Sequence, residues 1–358
     1  MDIAFVLPDN NNIPIGGYKL VYQYANEFVD KGHDVTIYFR NLPVRIAKNK
    51  LDDLLFVGKV LKRTMLSKRK YRRVSWYQIR PEVNLKYNVW NSKQVGKHDV
   101  IIATAVTTAD FVANLSNKAG RKFYFIQNYE AWNGVTNEQV DETYKLPLEK
   151  IVIAEWLKEK VQHVNPTEQV TVIPNFLDQN EYFHSKSVED RSNIIALLNH
   201  TQPSKRTKFG LEVLEQVKKR VPDMRVYLYG AYEKPKGLPE YVTYFEKPSV
   251  STMRDKIHGE SKVYLLPSIL EGWGLTGMEA MSNGSVPVAS DLGGMRDFMT
   301  SGINAVLVDP NDMDGFVDAI TDLLTNESER LSMAESAVKT GETFTIERSV
   351  AMFISAIK

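Results

Sequence analysis

No cysteine occurs in the 358 residues. Disulfides and thiolate metal sites are thereby excluded, and the chain suits a reducing compartment. No stretch approaches the roughly 18 apolar residues that a membrane-crossing helix requires. The opening residues Met1 to Pro8 carry neither a basic leader nor an apolar run of signal-peptide length. The expectation is a cytoplasmic protein, or one lying on the cytoplasmic face of a membrane. Net charge is nearly absent too, at +1, so the molecule as a whole has no pull toward nucleic acid. What is present is ordinary for a soluble globular chain: 43% hydrophobic and 25% charged residues. The length exceeds what one hydrophobic core usually supports, which makes two domains the default.

Short apolar runs alternate with stretches of helical period. Asp2–Leu7 reads as a buried strand, followed by a Gly-rich turn. Leu20, Val21, Tyr24, Ala25, Phe28 and Val29 then fall on one helix face, and Val35–Phe39 is the next strand. Val100–Ala105, Phe123–Ile126 and Val170–Ile173 continue the series. The pattern restarts near Asn193, with strands at Ile194–Leu198, Met224–Tyr229, Lys262–Leu266 and Val286–Ser290 and a helix at Phe209–Val221. Strand–helix alternation predicts parallel sheets covered on both faces, hence an α/β protein of two βα arrays joined near residues 175–190. A helix, Ile346–Ile357, follows the second array.

The strongest chemical signal runs from Ser268 to Met281. It follows a strand, turns on Gly272, Gly274 and Gly277, and opens a helix. Unpaired amides and the helix dipole at such a turn favour an anion, typically a phosphate, and glycines let it approach closely. Glu271 and Glu279, eight residues apart, flank the turn. A carboxylate beside a phosphate needs another purpose, and accepting hydrogen bonds from sugar hydroxyls supplies one. The same segment matches the dinucleotide fingerprint G-x-G-x-x-G, with Asp291 placed as a ribose-binding acid. An NAD(P)-dependent oxidoreductase is therefore an alternative, although Glu271 would crowd a pyrophosphate there. A non-catalytic sugar-nucleotide-binding protein is another.

Glu271 and Glu279 resemble the E-x7-E motif of retaining glycosyltransferases of family 4 (glycosyl transferases group 1), which have the GT-B fold: two Rossmann-like domains whose parallel sheets face each other across a cleft. Leu266-Pro267-Ser268, Gly272-Trp273-Gly274-Leu275, Gly284–Ser290, Gly293-Gly294 with Asp297, Gly16-Gly17, Gly32–Val35, Ile173-Pro174-Asn175 and Lys205 are similar to that family in the same order. The resemblance implies an acceptor domain over 1–178, a nucleotide-sugar domain over 179–340, and a terminal segment 341–358 crossing back to the first. It implies a hexosyltransferase-type enzyme that moves a hexose or deoxyhexose from a nucleoside-diphosphate sugar to a glycan or lipid-linked acceptor in bacterial surface-polysaccharide synthesis. Lys205 and Glu271 would be catalytic. Gly16, Gly17, His200, Lys205, Gly272, Trp273, Gly274, Leu275, Thr276 and Glu279 would bind the donor, Glu271 touching the transferred sugar and Glu279 the ribose.

One departure stands out. Where the family carries an Arg five residues before the Lys, this chain has His200, mostly neutral at pH 7 unless perturbed. Arg206 or Lys208 are the available substitutes. No metal or other cofactor is expected: Asp312-Met313-Asp314 spells D-x-D, but its setting before an apolar-periodic run reads as a helix start. On the acceptor side, Gln127-Asn128-Tyr129-Glu130 is similar to the Q-x-Y-E segment of bacterial rhamnosyltransferases, and Asn128 and Glu130 would bind acceptor hydroxyls. His98 and His163 read as structural or surface residues.

Between Arg45 and Arg73 there are eleven Lys or Arg against Asp52 and Asp53, a local excess of +9 threaded with leucines. Such a basic amphipathic stretch suits an anionic membrane or an anionic acceptor. No nucleic-acid recognition motif accompanies it. Changing Lys68, Arg69, Lys70, Arg72 and Arg73 to Gln is expected to release the protein from anionic vesicles in co-sedimentation while sparing activity on a short soluble acceptor. Equal sedimentation of the parent protein on neutral and anionic vesicles would refute the membrane reading.

Overall fold

Apolar runs that bury on both faces pair edge to edge, and here they build two sheets. In the computed structural model, residues 1–10, 12, 14–40, 73–132 and 134–358 are described; the basic stretch, Arg73 apart, lies outside them. The first sheet has seven strands: β1 Asp2–Leu7, β2 Asp34–Phe39, β3 Asn84–Tyr87, β4 Val100–Ala103, β5 Arg121–Ile126, β6 Glu149–Val152 and β7 Val170–Val172, in the order β3-β2-β1-β4-β5-β6-β7. The second has six: β8 Ile194–Leu198, β9 Arg225–Gly230, β10 Val242–Glu246, β11 Val263–Leu266, β12 Val286–Ser290 and β13 Val306–Val308, in the order β10-β9-β8-β11-β12-β13. Every pairing is parallel. The expected α/β class with two parallel sheets is observed.

Among the described residues the α-helices are α1 Gly16–Asp30, α2 Val106–Ala113, α3 Asn137–Tyr144, α4 Glu155–Val164, α5 Thr207–Arg220, α6 Leu275–Met281, α7 Met313–Thr325, α8 Glu327–Thr343 and α9 Ile346–Ile357. A π-helical segment, Thr252–His258, was not anticipated. Strands β3, β6, β10 and β13 were not singled out in the sequence either. They are three to five residues long.

The chain divides into two compact units, Met1–Ile173 with Val350–Lys358, and Pro174–Ser349. The segment read as a joint, 175–190, is built into the second unit. Val188 joins its hydrophobic core, and the neighbouring buried Arg191 guanidinium donates to the carbonyls of Ser187, Ser261 and Asn283. Helix α9 divides between the units at Val350.

In the first unit, Val350, Phe353 and Ile357 lie on one face of α9 and are buried. The Phe353 ring packs at 4.8 Å from Tyr24, 5.2 Å from Phe125, 5.6 Å from Phe28 and 6.2 Å from Phe5. Edge-to-face aromatic packing of this kind adds to simple area burial. Phe353→Ala is expected to destabilise the first unit by about 3–5 kcal/mol, seen as a lower midpoint in chemical denaturation. The neighbouring exposed change Ser355→Ala should leave that midpoint in place.

Candidate active site

In the second sheet the chain runs from β8 outward to β9 and β10, then returns to β11 on the other side of β8. The crevice beyond the carboxyl ends of β8 and β11 is therefore a topological switch point, where open α/β sheets bind ligands. The loops leaving those two strands are tied together by the Ile269 N–H, which donates to the Ser204 carbonyl at 2.8 Å. This brings Lys205 to Glu271, with Nζ 2.6 Å from Oε1. The Ser268 hydroxyl donates to the same oxygen at 2.8 Å. Glu271 is only 7% exposed, and its Oε2 takes no contact among the described residues. Lys205 spends one of its three ammonium donors on the carboxylate, which leaves two for a ligand.

The turn that follows is shaped by glycine. Gly274 has φ +100° and ends the turn, and Leu275 and Thr276 open α6. The Gly277 amide is taken by the Gly274 carbonyl at 2.9 Å, whereas the Leu275 and Thr276 amides have no partner among the described residues. The turn is backed by Gly294: a Cβ there would run into the Gly272 carbonyl and lie 2.7 Å from Trp273 Cα. Thr276 and Glu279 are three residues apart on α6 and share one face. The Tyr182 hydroxyl hydrogen-bonds Glu279, and the Tyr264 hydroxyl bonds both the Thr276 side chain and, at 3.2 Å, Tyr229. Buried beneath them, His258 packs edge-on to Tyr229 and Tyr264 at 5.7 and 5.4 Å. Desolvation, with the Arg191 charge behind it, pushes its pKa down to about 3.

Lys205 brings a cation to this crevice. Burial first, then the Lys205 charge, lowers the His200 pKa below its usual value, with Glu271 opposing. Its Nδ1 accepts from the Gln202 N–H at 2.9 Å, so the neutral ring carries its proton on Nε2. Arg206 bonds the Pro310 carbonyl and stacks 3.7 Å over the Phe209 ring. Lys208 is 92% exposed beside Glu212. Neither substitute is directed at the turn.

The first unit has its own switch point, between β1 and β4. Gly16 and Gly17 begin α1 directly after the loop from β1. A Cβ on Gly16 would meet open space, whereas one on Gly17 would touch Gln127 Oε1 at 3.0 Å. The Asn128 Oδ1 accepts from the Tyr129 N–H at 2.9 Å. Glu130 accepts from the Val106 N–H at 2.8 Å and so caps α2. Withdrawal from water, opposed by that N–H, pushes Glu130 up to about 7. Near neutrality it is therefore present both as acceptor and as proton donor.

Residues 178–340 match the family described as glycosyl transferases group 1. Similar curated proteins include the D-inositol 3-phosphate glycosyltransferases of Corynebacterium urealyticum, 27% identical over 46% of this chain and 42% of the relative, and of Kribbella flavida, 26% identical over 56% and 51%. The matches span about half the length of those relatives. Among solved structures, Anabaena HepE in complex with UDP aligns with a TM-score of 0.74 at 15% identity, covering 100% of this chain and 99% of that one. TarM aligns at 0.73 and 14%, covering 100% and 98%. The fold is thus that of the GT-B glycosyltransferases.

The second unit gathers Lys205, Glu271, Gly272, Gly274, Leu275 and Thr276 around one turn, with Glu279 one helical turn further and His200 beside Lys205. Trp273 requires a correction. Its indole is 2% exposed, stacked on Phe298 at 5.2 Å and edge-on to Phe344 at 5.6 Å. Only its backbone lies at the turn, because the side chain anchors the loop to the core. Asp312 caps α7, its Oδ1 accepting from the Gly315 N–H at 2.9 Å. Asp291, the acid of the dinucleotide alternative, is held by Arg296 at 2.6 Å. His98 is structural, bridging Asp2 at 2.7 Å and Tyr38 at 2.8 Å. The sequence did not reveal the Tyr182–Glu279 contact, since nothing in the spacing links a residue before β8 to α6. Gly294→Ala should displace the Gly272–Trp273 backbone, lowering thermal stability and nucleotide affinity together. Gly16→Ala, with open space for its methyl, should leave the melting temperature within about 1–2 °C, in the range of surface changes. Differential scanning fluorimetry with and without nucleotide checks both.

Proposed function

We propose that this chain is a nucleotide-sugar-dependent glycosyltransferase that transfers a hexose or deoxyhexose with retention to a glycan or lipid-linked acceptor in surface-polysaccharide assembly. The observation that carries the reading is the Lys205–Glu271 pair, 2.6 Å apart beside a left-handed glycine turn at the sheet's switch point. A nucleoside diphosphate would lie against the Leu275 and Thr276 amides. The two remaining Lys205 donors would meet its oxygens, and Oε2 of Glu271 would accept from a hydroxyl of the sugar. Glu279 would take the ribose hydroxyls from the same helix face.

The chemistry follows from where charge develops. The bond between the anomeric carbon and the diphosphate oxygen breaks with its electron pair on the leaving oxygen. Lys205 and the helix end would stabilise that charge. The acceptor hydroxyl forms the new bond on the same face, and its proton passes to the leaving diphosphate, so no strong protein base is required. With His200 neutral, Lys205 bears most of the cationic role. Asp312 is occupied in capping, which supports a reaction without a metal ion. Asn128 and Glu130 are proposed to bind acceptor hydroxyls in the first unit. D-inositol 3-phosphate, named for the curated relatives, is a soluble acceptor to assay first. Among the described residues no helix is long and apolar enough to cross a membrane, and the basic stretch remains the proposed means of holding the enzyme to an anionic surface.

A thermal-shift screen with UDP-, dTDP- and GDP-sugars is expected to select one donor. Release of its nucleoside diphosphate should then proceed in buffer containing EDTA. Lys205→Ala should slow that release by roughly 10²–10³-fold, the scale of one preorganised electrostatic group, with little change in melting temperature. Activity within threefold of the parent would refute the assignment. Loss on chelation, restored by Mn²⁺, would refute metal independence, and binding without turnover would favour a sugar-nucleotide-binding protein.

A further inference from the structure

Arg40 follows β2 at the carboxyl edge of the first sheet, and its N–H donates to the Leu7 carbonyl at the end of β1 at 3.0 Å. Its side chain reaches α2, where the guanidinium lies 4.0 Å over the Phe111 ring. The residue is half-buried and has no carboxylate partner among the described residues. Nη1 meets the Thr107 carbonyl and Nη2 the Trp90 carbonyl, both at 3.5 Å, longer than an ordinary N–H···O bond. Nε is buried and without a partner among the described residues. A guanidinium carries five donors, so most of its capacity is unspent. Burial lowers its pKa to about 10, which leaves it charged at neutral pH.

Arg191 shows how this chain treats an arginine that only holds structure. Its guanidinium donates to the carbonyls of Lys186, Ser187, His258, Ser261 and Asn283 at 2.7–3.3 Å. Arg40 is held by ring stacking and keeps its donors. A charge withdrawn from water without an anion is a standing loss of stability, which a bound anion would offset.

We propose that Arg40 is the centre of an anion subsite in the first unit, where its guanidinium receives a phosphate carried by the acceptor. The inference rests on the acceptor role proposed above for this unit. The planar fork of a guanidinium matches two oxygens of one phosphate, and stacking on Phe111 fixes its plane before binding. The position suits an acceptor. Strand β2 neighbours β1, which borders the switch point. Glu130 accepts from the Val106 N–H, one residue before the Thr107 carbonyl that Arg40 touches. The start of α2 thus carries a group for hydroxyls and a cation for a phosphate, as a phosphorylated polyol requires.

The test keeps the glycine turn of the second unit filled with a saturating nucleoside diphosphate, the one selected by the donor screen. The full chain is then titrated by calorimetry, at constant ionic strength, with sn-glycerol 3-phosphate, inorganic phosphate, glycerate and glycerol. Parent, Arg40→Gln and Arg40→Lys are compared, and their melting temperatures are measured without added anion. The parent should bind glycerol 3-phosphate and inorganic phosphate, and glycerol not measurably. Arg40→Gln should weaken both phosphates about ten- to hundredfold, the scale of hydrogen bonds to a charged group. Arg40→Lys should keep part of the affinity, since it retains the charge and loses the fork. Without an anion, Arg40→Gln should melt no earlier than the parent, because it removes an unpaired charge. If the parent binds neither phosphate, or binds glycerate more tightly than glycerol 3-phosphate, the inference fails. It fails too if Arg40→Gln binds phosphate like the parent, and an earlier melt with that affinity intact would make Arg40 merely structural. None of these results touches the glycosyltransferase reading. Arg40-dependent phosphate binding in a protein that turns over no sugar nucleotide would instead defeat the transferase reading and leave the anion subsite standing.

Discussion

A carboxylate that is 7% exposed beside a phosphate-type turn is the constraint from which the rest of the second unit's site follows. Left alone, Glu271 would be desolvated without compensation, at a penalty of several kcal/mol. Lys205 and Ser268 remove that penalty by converging on one oxygen. They can do so only because the loops after β8 and β11 leave adjacent strands and are pinned by the Ile269–Ser204 backbone bond. The arrangement keeps Oε2 and two ammonium donors available without leaving either charge unpaired. The Lys205–Glu271 arrangement is thus held in place by pairs internal to the chain.

The turn itself depends on the absence of side chains at chosen places. The positive φ at Gly274 and the backbone packing of Gly294 on Gly272–Trp273 bring the start of α6 into position. Trp273 serves this arrangement from below. The same economy appears at His200, whose neutral ring accepts from the Gln202 amide and leaves the positive charge beside it to Lys205. Behind α6, the aromatic hydroxyls of Tyr182, Tyr229 and Tyr264 form a buried polar layer, and His258 in the π-helical segment closes it from beneath. π-Helical turns often occur at functional sites, and this one lines the far side of the layer that holds Glu279 and Thr276.

The first unit uses the same sheet logic with different chemistry. Its switch point lies between β1 and β4, where Gly17 packs on Gln127 and Glu130 caps α2. Tyr129 turns out to be structural: its hydroxyl donates to Asp141 at 3.0 Å and docks α3. Glu130, in contrast, has its pKa pushed up to about 7 by withdrawal from water. A carboxyl in that state can both donate to and accept from hydroxyls, which suits a polyol better than a permanently ionised group would.

Periodicity carried most of the fold. Asp2–Leu7, Ile194–Leu198 and Val286–Ser290 are continuous apolar runs because strands buried on both faces need them, and the Ile346–Ile357 helix follows from its spaced apolar face. The glycine turn and its flanking glutamates stood out by residue type and spacing, whereas Lys205 came only with the resemblance to glycosyltransferases of family 4. Tertiary structure decided the rest. Whether Trp273 met a ligand or the core depended on Phe298 and Phe344, which lie far along the chain. Whether Arg206 could replace the missing Arg depended on Pro310 and Phe209. The contact between Tyr182 and Glu279 joins segments on either side of four strands. Local pattern determines which face of an element is apolar, but only packing determines which polar groups from distant segments end up within a hydrogen bond of one another.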